Sequence, residues 1–217
     1  MKFFIDTANV AEIKRAHEMG VITGVTTNPS IIAREGKRFE AVMKEISGVV
    51  GEGVYLFGEV TGLKSAEMIK EARELVKMHK KFIVKIPMIE EGLKAVSVLS
   101  KEGINCCVTL CFSVPQALLA AQAGAAYVAP FVGRIDDIGW DGVKLIEDIT
   151  EIFMVQGIET EIIVASVRDA VHVIDIAKAG AHIATVPSKT LFSLTENPLT
   201  KSGLDKFMED WKTVPKK

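Results

Sequence analysis

Residues 103–133 read GINCCVTLCFSVPQALLAAQAGAAYVAPFVG, an apolar stretch without a single charged side chain. A run of this length would also suit a membrane-spanning helix, which needs roughly 20 residues. Polar residues and two prolines interrupt it, however, and a lipid-exposed helix broken in this way would leave backbone groups unpaired. The stretch divides instead into a short strand, a helix that begins at Pro115 and stops at Gly124, and a second strand. We therefore expect a strand–helix–strand unit and no membrane partner.

The same local pattern recurs along the chain: a helix-like segment, a glycine, a few residues, and then an apolar run. Glycine just past a helix end adopts the left-handed conformation that closes the helix. The apolar runs are continuous rather than alternating, as a parallel sheet buried on both faces requires. The expected strands contain residues 2–6, 24–26, 54–60, 82–86, 106–108, 127–129, 162–164 and 182–184.

Eight strand–helix units without a linker or a composition break predict a (β/α)₈ barrel, an α/β fold, as one domain over residues 1–217. An open, doubly wound sheet is the alternative, and it would need only five or six strands. Past the eighth strand, we expect a helix around residues 187–195 to close the barrel.

One more helix is expected at about residues 202–213. Its large apolar residues recur at helical spacing and form a stripe from Leu204 to Trp211. Such a stripe either caps its own barrel or docks on a neighbouring subunit of a homo-oligomer. The sequence leaves both interpretations open.

The charge balance excludes several classes of partner. The chain carries 26 basic and 28 acidic residues, for a net charge of −2. Nothing in this balance points to nucleic acid or to an anionic membrane as partner. The mean hydropathy of +0.27 is high for a soluble domain, and strands buried on both faces would account for it.

Two features predict a cytoplasmic location. The apolar start Phe3–Ile5 meets Asp6 at once, so the apolar core of a signal peptide is missing. The three cysteines, Cys106, Cys107 and Cys111, lie within six positions of one another and so cannot link distant parts of a fold. We expect them to be reduced, buried thiols.

Polar residues occur at the end of the predicted barrel where active sites of this fold lie. The loops that follow the strands form the mouth of the active site, so ionisable residues at the carboxyl ends of strands indicate catalysis. Six of the eight expected strands deliver a polar group at this end. In strand order these are Asp6, Thr26 with Asn28 just beyond, Glu59, Lys85, Thr109 and Ser166.

Among these polar residues, Lys85 is the strongest candidate for a catalytic residue, because it stands between apolar neighbours in the segment FIVKIP, residues 82–87. Burying an ammonium group is costly, and the usual relief is a lowered pKa that leaves a neutral amine. A neutral amine in a dry pocket is the nucleophile for Schiff-base chemistry on a carbonyl substrate. The alternative is a structural lysine whose ammonium pairs with a carboxylate such as Glu59.

Basic residues on the later loops suggest a phosphate site. Arg134 follows strand six, and Ser166 and Arg168 follow strand seven at the start of a helix. Barrels often hold phosphate in this region, where helix N-termini and arginines meet the anion. The alternative is a surface ion pair for each arginine, for instance Arg134 with Asp136 or Asp137.

No metal site is expected from the histidines, because they are scattered at no metal-ligand spacing. We expect all four to be structural or surface residues. They are His17, His79, His172 and His182.

Five segments resemble the small, single-domain transaldolases and the closely related fructose-6-phosphate aldolases. They span residues 4 to 211, and the first, second and fourth are highly specific. The segments are FIDTAN at 4–9, GVTTNPS at 24–30, VKIP at 84–87, APFVGRIDD at 129–137 and FMEDW at 207–211. The fold of this family is the (β/α)₈ barrel, which agrees with the strand count.

The resemblance implies a metal-independent class I mechanism without an organic cofactor, acting on sugar phosphates. Lys85 would form a Schiff base with the C2 carbonyl of a ketose phosphate. Asp6 would take and return the proton of the C4 hydroxyl as the C3–C4 bond breaks or forms. Glu59 and Thr109 would hold a water that relays protons during imine formation and release.

The resemblance also implies the binding residues. Thr26 and Asn28 would bind substrate groups, and Arg134, Ser166 and Arg168 would bind the phosphate. A dihydroxyacetone unit would then pass from a ketose phosphate to an aldose phosphate. The family commonly forms pentamers and decamers in which the terminal helix reaches a neighbour, which implies a homo-oligomer.

The residues that separate the two sister activities favour transfer. Transaldolases have glutamate at position 59 and phenylalanine at position 131, as here, whereas the aldolases have glutamine and tyrosine. A tyrosine hydroxyl can help to protonate the intermediate and release free dihydroxyacetone, and Phe131 has none. Against this, Cys107 replaces a usual asparagine and Phe57 a small hydroxyl residue. We expect a transaldolase, with a fructose-6-phosphate aldolase and a non-catalytic ligand-binding or assembly barrel as the alternatives.

Overall fold

The computed structural model describes residues 1–215, in which eight parallel strands close into a barrel in chain order. The barrel closes where β1 pairs with β8, from Lys2 opposite Ile183 to Asp6 opposite Pro187. The predicted (β/α)₈ barrel is thus confirmed, while Lys216 and Lys217 of the expected domain lie outside the described residues. The strands are β1 Lys2–Asp6, β2 Gly24–Thr26, β3 Tyr55–Glu59, β4 Phe82–Pro87, β5 Cys106–Cys111, β6 Tyr127–Pro130, β7 Glu161–Val164 and β8 Ile183–Pro187.

Helices surround the barrel, and several begin where a short polar side chain accepts hydrogen bonds from the first free backbone N–H groups. Asn9, Ser113 and Asp169 cap helices in this way. The predicted closing role of glycine holds at Gly157, which ends α8 with a φ of 63°. In residues 1–215 the helices are α1 Val10–Glu18, α2 Pro29–Arg34, α3 Phe39–Val50, α4 Ser65–Leu75, α5 Glu90–Lys101, α6 Val114–Gln122, α7 Val132–Asp136, α8 Gly142–Gln156, α9 Ala170–Lys178, α10 Ser188–Ser193 and α11 Pro198–Trp211.

The strands are apolar on both faces because each face is buried in a different core. On β4, Ile83 points into the barrel, whereas Val84 and Ile86 pack in the layer between the barrel and the helices. Aromatic side chains fill the barrel interior, where the ring centroids of Phe4 and Phe57 lie 5.4 Å apart. This double burial accounts for the high mean hydropathy and for the uncharged stretch at residues 103–133.

Some boundaries differ from the expected ones. The closing helix is α10, shorter than the expected 187–195, and α11 starts at Pro198 rather than near residue 202. The earlier start has a local cause, since the Asn197 side chain accepts from the Leu199 N–H at 2.8 Å and proline suits the first turn. Strand β7 ends at Val164 rather than at Ser166, whose φ of 61° departs from an extended backbone.

The extra helix α11 does not cap the barrel with its apolar stripe. None of its side chains is buried, and Phe207 and Trp211 are 71% and 68% exposed. Capping of its own barrel was one of the two interpretations of the stripe, and the structure does not support it. Among the helices described in residues 1–215, none combines the length and the apolar character that crossing a membrane requires.

Candidate active site

A cavity of about 410 Å³ opens at the carboxyl ends of the strands, where the sequence predicted the chemistry. It gathers nearly all of the predicted site residues, although they come from strands and loops spread over most of the chain. The predicted residues that line it are Asp6, Thr26, Asn28, Lys85, Thr109, Phe131, Arg134, Ser166 and Arg168. The remaining one, Glu59, contacts Lys85 and lines an adjacent groove of about 700 Å³ that also includes Asn28.

Lys85 lies at the centre of this cluster, on β4, opposite Glu59 of β3 and Cys107 of β5. Its Nζ lies 3.3 Å from Glu59 Oε2, and the two side chains are only 9% and 13% exposed. The Nζ also donates to the backbone carbonyl of Thr27 at 3.0 Å. The ammonium is therefore held by one carboxylate and one carbonyl, as a buried charge requires.

The Lys85–Glu59 pair is the contact that the structural interpretation of Lys85 anticipated, and it also suits catalysis. An amine must lose a proton before it can attack a carbonyl, and Glu59 stands within reach of that proton. The two interpretations are thus compatible, because one pair can hold the resting ammonium and accept its proton.

Asp6 ends β1 on the same side of the cavity. Its Oδ1 accepts a hydrogen bond of 2.7 Å from the Thr26 hydroxyl. Burial raises the pKa of Asp6 above its ordinary value, because the loss of water around the carboxylate outweighs the lowering effects of the Lys85 charge and of the Thr26 hydrogen bond. A carboxyl group whose pKa is raised above its ordinary value both takes and returns a proton more readily.

The wall beside Lys85 is apolar. On β5, Cys107 and Thr109 project to the same side and line the cavity, because alternate residues of a strand face the same way. Burial raises the pKa of Cys107 to about 12, so its thiol stays neutral and acts as a small apolar group. Phe131 packs on Phe112, with ring centroids 5.5 Å apart, and presents no polar atom to the cavity. Cys107 and Phe131 therefore offer no polar group to a substrate, and Thr109 supplies the hydroxyl of this wall.

The mouth of the cavity carries positive charge. The Arg134 guanidinium lies over the Phe131 ring, 4.9 Å from its centroid. A Cβ at position 133 would lie 2.4 Å from the Ser166 carbonyl oxygen and 2.5 Å from Arg168 Nε, so only glycine allows the two loops to meet. The three predicted phosphate ligands are thereby brought to one rim.

The ion pairs at this rim differ from the alternative considered for Arg134. Asp137 pairs with Arg168 at 2.6 Å, and Asp136 contacts His172 at 3.0 Å. Arg134 forms neither of the two expected pairs among the described residues. Its guanidinium is therefore the group at this rim best placed to meet an anion.

Three contributors to the site were missed. Thr185 of β8 lines the cavity, with its Oγ1 2.5 Å from the Thr26 Oγ1, and Arg34 of α2 lies at the mouth. The third is the Thr27 carbonyl that holds Lys85. Thr185 could have been found by extending the eighth strand beyond Ala184, whereas a backbone carbonyl leaves no side-chain signal.

Two of the histidines, His79 and His182, lie apart from the cavity. His79 Nε2 contacts the Gly51 carbonyl at 2.9 Å, and His182 Nδ1 accepts from the Ile162 N–H. Within residues 1–215, no three histidine, cysteine, aspartate or glutamate side chains come close enough to share a metal ion.

Comparison with known proteins identifies the family of the chain. The chain matches the family model described as transaldolase/fructose-6-phosphate aldolase over residues 3–217. It is 58% identical to a probable transaldolase of Clostridium kluyveri over 217 residues, covering all of both chains. It is also 59% identical to a probable transaldolase of Clostridium acetobutylicum over 212 residues, 98% of each chain. A probable transaldolase of Caldicellulosiruptor saccharolyticus is 58% identical over 218 residues, again covering both chains fully.

A solved structure supports the fold independently. Thiamine phosphate pyrophosphorylase from Pyrococcus furiosus superposes with a TM-score of 0.59 at 16% identity, covering 86% of this chain and 85% of the other. This likeness extends to the barrel architecture alone. The match of the family model over nearly the whole chain, together with the full-length relatives, assigns the sequence: the chain belongs to the transaldolase/fructose-6-phosphate aldolase family.

Proposed function

We propose that this protein is a class I transaldolase, which passes a dihydroxyacetone unit from a ketose phosphate to an aldose phosphate through a Schiff base on Lys85. The observation that carries the proposal is the placement of Lys85, Glu59 and Asp6 around one cavity, with the lysine amine 3.3 Å from a carboxylate. The reaction converts sedoheptulose 7-phosphate and glyceraldehyde 3-phosphate into erythrose 4-phosphate and fructose 6-phosphate.

The first half of the reaction forms the imine. The Lys85 proton passes to Glu59, the free amine attacks C2 of the ketose, and the C2 oxygen leaves as water after protonation. Thr109, on the neighbouring strand, and Glu59 hold the water that carries protons in these steps. The resulting protonated imine withdraws electrons from C3.

The second half breaks and makes a carbon–carbon bond. Asp6 takes the proton of the C4 hydroxyl, the C3–C4 electron pair moves into the protonated imine, and the aldose phosphate leaves. The acceptor aldose then binds, the bond forms again, and Asp6 returns the proton. Water then hydrolyses the imine, which frees the new ketose phosphate and the Lys85 amine. Neither a metal nor an organic cofactor is required, because the protonated imine takes up the electron pair.

Substrate binding follows from the remaining side chains. The side-chain oxygen Oδ1 of Asn28 caps α2 by accepting from the Ile31 N–H at 2.9 Å. The side-chain NH₂ group of Asn28 is therefore the one offered to a sugar hydroxyl. Arg134, Ser166 and Arg168 bind the phosphate at the rim, where guanidinium groups suit its geometry.

Incubation with fructose 6-phosphate tests this proposal against its nearest alternative. With erythrose 4-phosphate as acceptor, we expect rapid formation of sedoheptulose 7-phosphate. With fructose 6-phosphate alone, we expect little free dihydroxyacetone. Abundant release without an acceptor would instead identify a fructose-6-phosphate aldolase, which Cys107 and Phe57 leave as the second candidate. A barrel with only a binding or assembly role would show neither reaction.

Phe131→Tyr is expected to raise the release of free dihydroxyacetone from fructose 6-phosphate by at least about tenfold. The added hydroxyl would place a proton donor on the wall that is now apolar. Phe112→Tyr is the matched control, because this ring packs on Phe131 without lining the cavity. Equal release by both variants and the wild type would contradict the role given to Phe131.

We also propose that the exposed stripe of α11 binds a second copy of the chain, giving the homo-oligomer, a pentamer or decamer, that the family resemblance implies. Support comes from four large apolar side chains that the barrel leaves uncovered: Leu204, Phe207, Met208 and Trp211. A stripe of this kind is costly to leave in water.

Replacing Phe207 and Trp211 together by serine is expected to lower the oligomeric state measured by light scattering. The change removes both aromatic rings of the stripe, which are its two most exposed side chains. Lys206→Ser, which helical spacing places on the side of α11 away from the stripe, is the control and should leave the mass unchanged. An unaltered mass in the double variant would show that the stripe does not hold the assembly together.

We propose that residues 1–217 act as one domain in the cytoplasm. Support for one domain comes from the site itself, whose side chains run from Asp6 on β1 to Thr185 on β8. Support for the compartment comes from the three cysteines, which are buried and free.

A further inference from the structure

A chain of two hydroxyl groups ends on Asp6. Thr185 Oγ1 lies 2.5 Å from Thr26 Oγ1, and Thr26 Oγ1 lies 2.7 Å from Asp6 Oδ1. The three residues stand on β8, β2 and β1, which are neighbours in the barrel. Both threonines are buried, with exposures of 4% for Thr185 and 3% for Thr26.

Counting hydrogen atoms fixes the direction of this chain. An ionised carboxylate can only accept hydrogen bonds, so Thr26 must donate its single hydroxyl hydrogen to Asp6. Thr26 then has no hydrogen left for Thr185. The short contact between the two hydroxyls therefore requires that Thr185 donate to Thr26.

A hydroxyl that accepts a hydrogen bond becomes a stronger donor, and in a buried site this strengthening amounts to roughly 10–30% per bond. The bond from Thr26 to Asp6 is charge-assisted, so the strengthening acts on one of the stronger bonds of the site. It favours the ionised form of Asp6 and holds the carboxylate in one orientation.

The other charged and titratable groups near Asp6 come from different elements. Lys85 of β4 acts on Asp6 directly through its charge. The others in the cavity or beside Lys85 are Glu59 of β3, Cys107 of β5, Arg34 of α2, Arg134 of α7 and Arg168 of the loop after β7. Removal of the Thr185 hydroxyl leaves Lys85 and all of these groups in place.

We propose that Thr185 is a positioning residue for the transaldolase reaction: it donates to Thr26, and through Thr26 it sets the orientation and the proton-accepting strength of Asp6. This inference rests on the proposed function, since it assigns Asp6 the proton transfer at the C4 hydroxyl. Thr185 itself needs no contact with the reacting atoms.

Thr185→Val tests this role, because valine keeps the shape of threonine and removes only the donor. We expect kcat to fall about threefold to tenfold and the acidic limb of the kcat/KM profile to move up by about 0.5 pH unit. Thr185→Ala, a second variant without a hydroxyl, should shift the limb in the same direction. Thr185→Ser keeps the donor and should restore both quantities to within about twofold of the wild type.

Thr160→Val is the matched control for the loss of a buried threonine hydroxyl. Thr160, which directly precedes β7, donates to the Ala125 carbonyl away from the cavity. Loss of the Thr160 hydroxyl should therefore affect stability without moving the pH profile. A Thr185→Val profile that matches the wild type, or a serine variant that shifts as much as valine, would overturn the inference.

Trapping with borohydride separates this inference from the proposed function. In Thr185→Val we expect fructose 6-phosphate to modify Lys85 as in the wild type, because Glu59 and the lysine are untouched. If the wild type itself forms no adduct, the Schiff-base function is wrong. If both proteins form the adduct and their pH profiles coincide, only the role of Thr185 is wrong.

Discussion

Lys85→Arg is expected to lower kcat/KM for transfer from fructose 6-phosphate to erythrose 4-phosphate by at least about 10⁴-fold. Arginine keeps a positive charge beside Glu59, so no carboxylate is left buried without a partner. Its guanidinium stays protonated in proteins and cannot form an imine. The loss should therefore fall on catalysis, and coupled assays of both products measure it.

Lys81→Arg is the control for this substitution. Lys81 directly precedes the same strand, donates to the Gly53 carbonyl and lies over the Tyr55 ring, away from the cavity. We expect it to retain full activity. Transfer by the Lys85 variant within tenfold of the wild-type rate would rule out covalent catalysis through Lys85.

Asp6→Asn is expected to lower kcat by about 10²- to 10⁴-fold, the range that a general acid–base contributes. The amide keeps the shape of the side chain and removes the proton acceptor. Imine formation should persist, because Lys85 and Glu59 remain, so the donor complex should accumulate on the lysine. Single-turnover kinetics with quenching would separate the fast first step from the slow bond cleavage.

The same substitution gives a prediction on stability. The pKa of Asp6 is higher in the folded chain than in the unfolded chain, so the folded state binds this proton more readily. Stability from Asp6 is therefore present at low pH and is lost as the pH rises through the raised value. At neutral pH we expect Asp6→Asn to have a Tm equal to or above that of the wild type. A clear fall in Tm, with Asp6→Ala as comparison, would contradict this electrostatic account.

The pH dependence of the wild type follows from the same group. Asp6 accepts a proton only when it is ionised, so activity should fall as the pH drops below its raised pKa. In Asp6→Asn the residual activity should lose this acidic limb.

Much of the fold could be predicted from the sequence because local signals agreed with one another. Apolar runs gave all eight strands, and glycines such as Gly157 marked helix ends. Strand and helix boundaries were less certain, because the Asn197 cap and the turn at Ser166 depend on single side chains or on one backbone angle. The helix α11 was found, but only the structure shows that its stripe is uncovered.

The site could be predicted because a parallel barrel brings every strand end to one face. This geometry places Asp6 and Lys85 in one cavity although they are far apart in sequence. Apart from the Lys85–Glu59 pair, the sequence did not reveal which groups of the site contact one another. The pairing of Arg168 with Asp137 depends on how two loops pack around Gly133. The contact of Lys85 with the Thr27 carbonyl leaves no signal in the sequence, because every residue has a backbone carbonyl.

The most direct test of the account is to trap the intermediate on the wild-type protein. The protein is incubated with fructose 6-phosphate, reduced with borohydride, digested and analysed by mass spectrometry. We predict a reduced dihydroxyacetone adduct on the peptide that contains Lys85, and none on that peptide from Lys85→Arg. An active enzyme that shows no adduct, or an adduct on another lysine, would contradict the assignment of Lys85 as the Schiff-base residue.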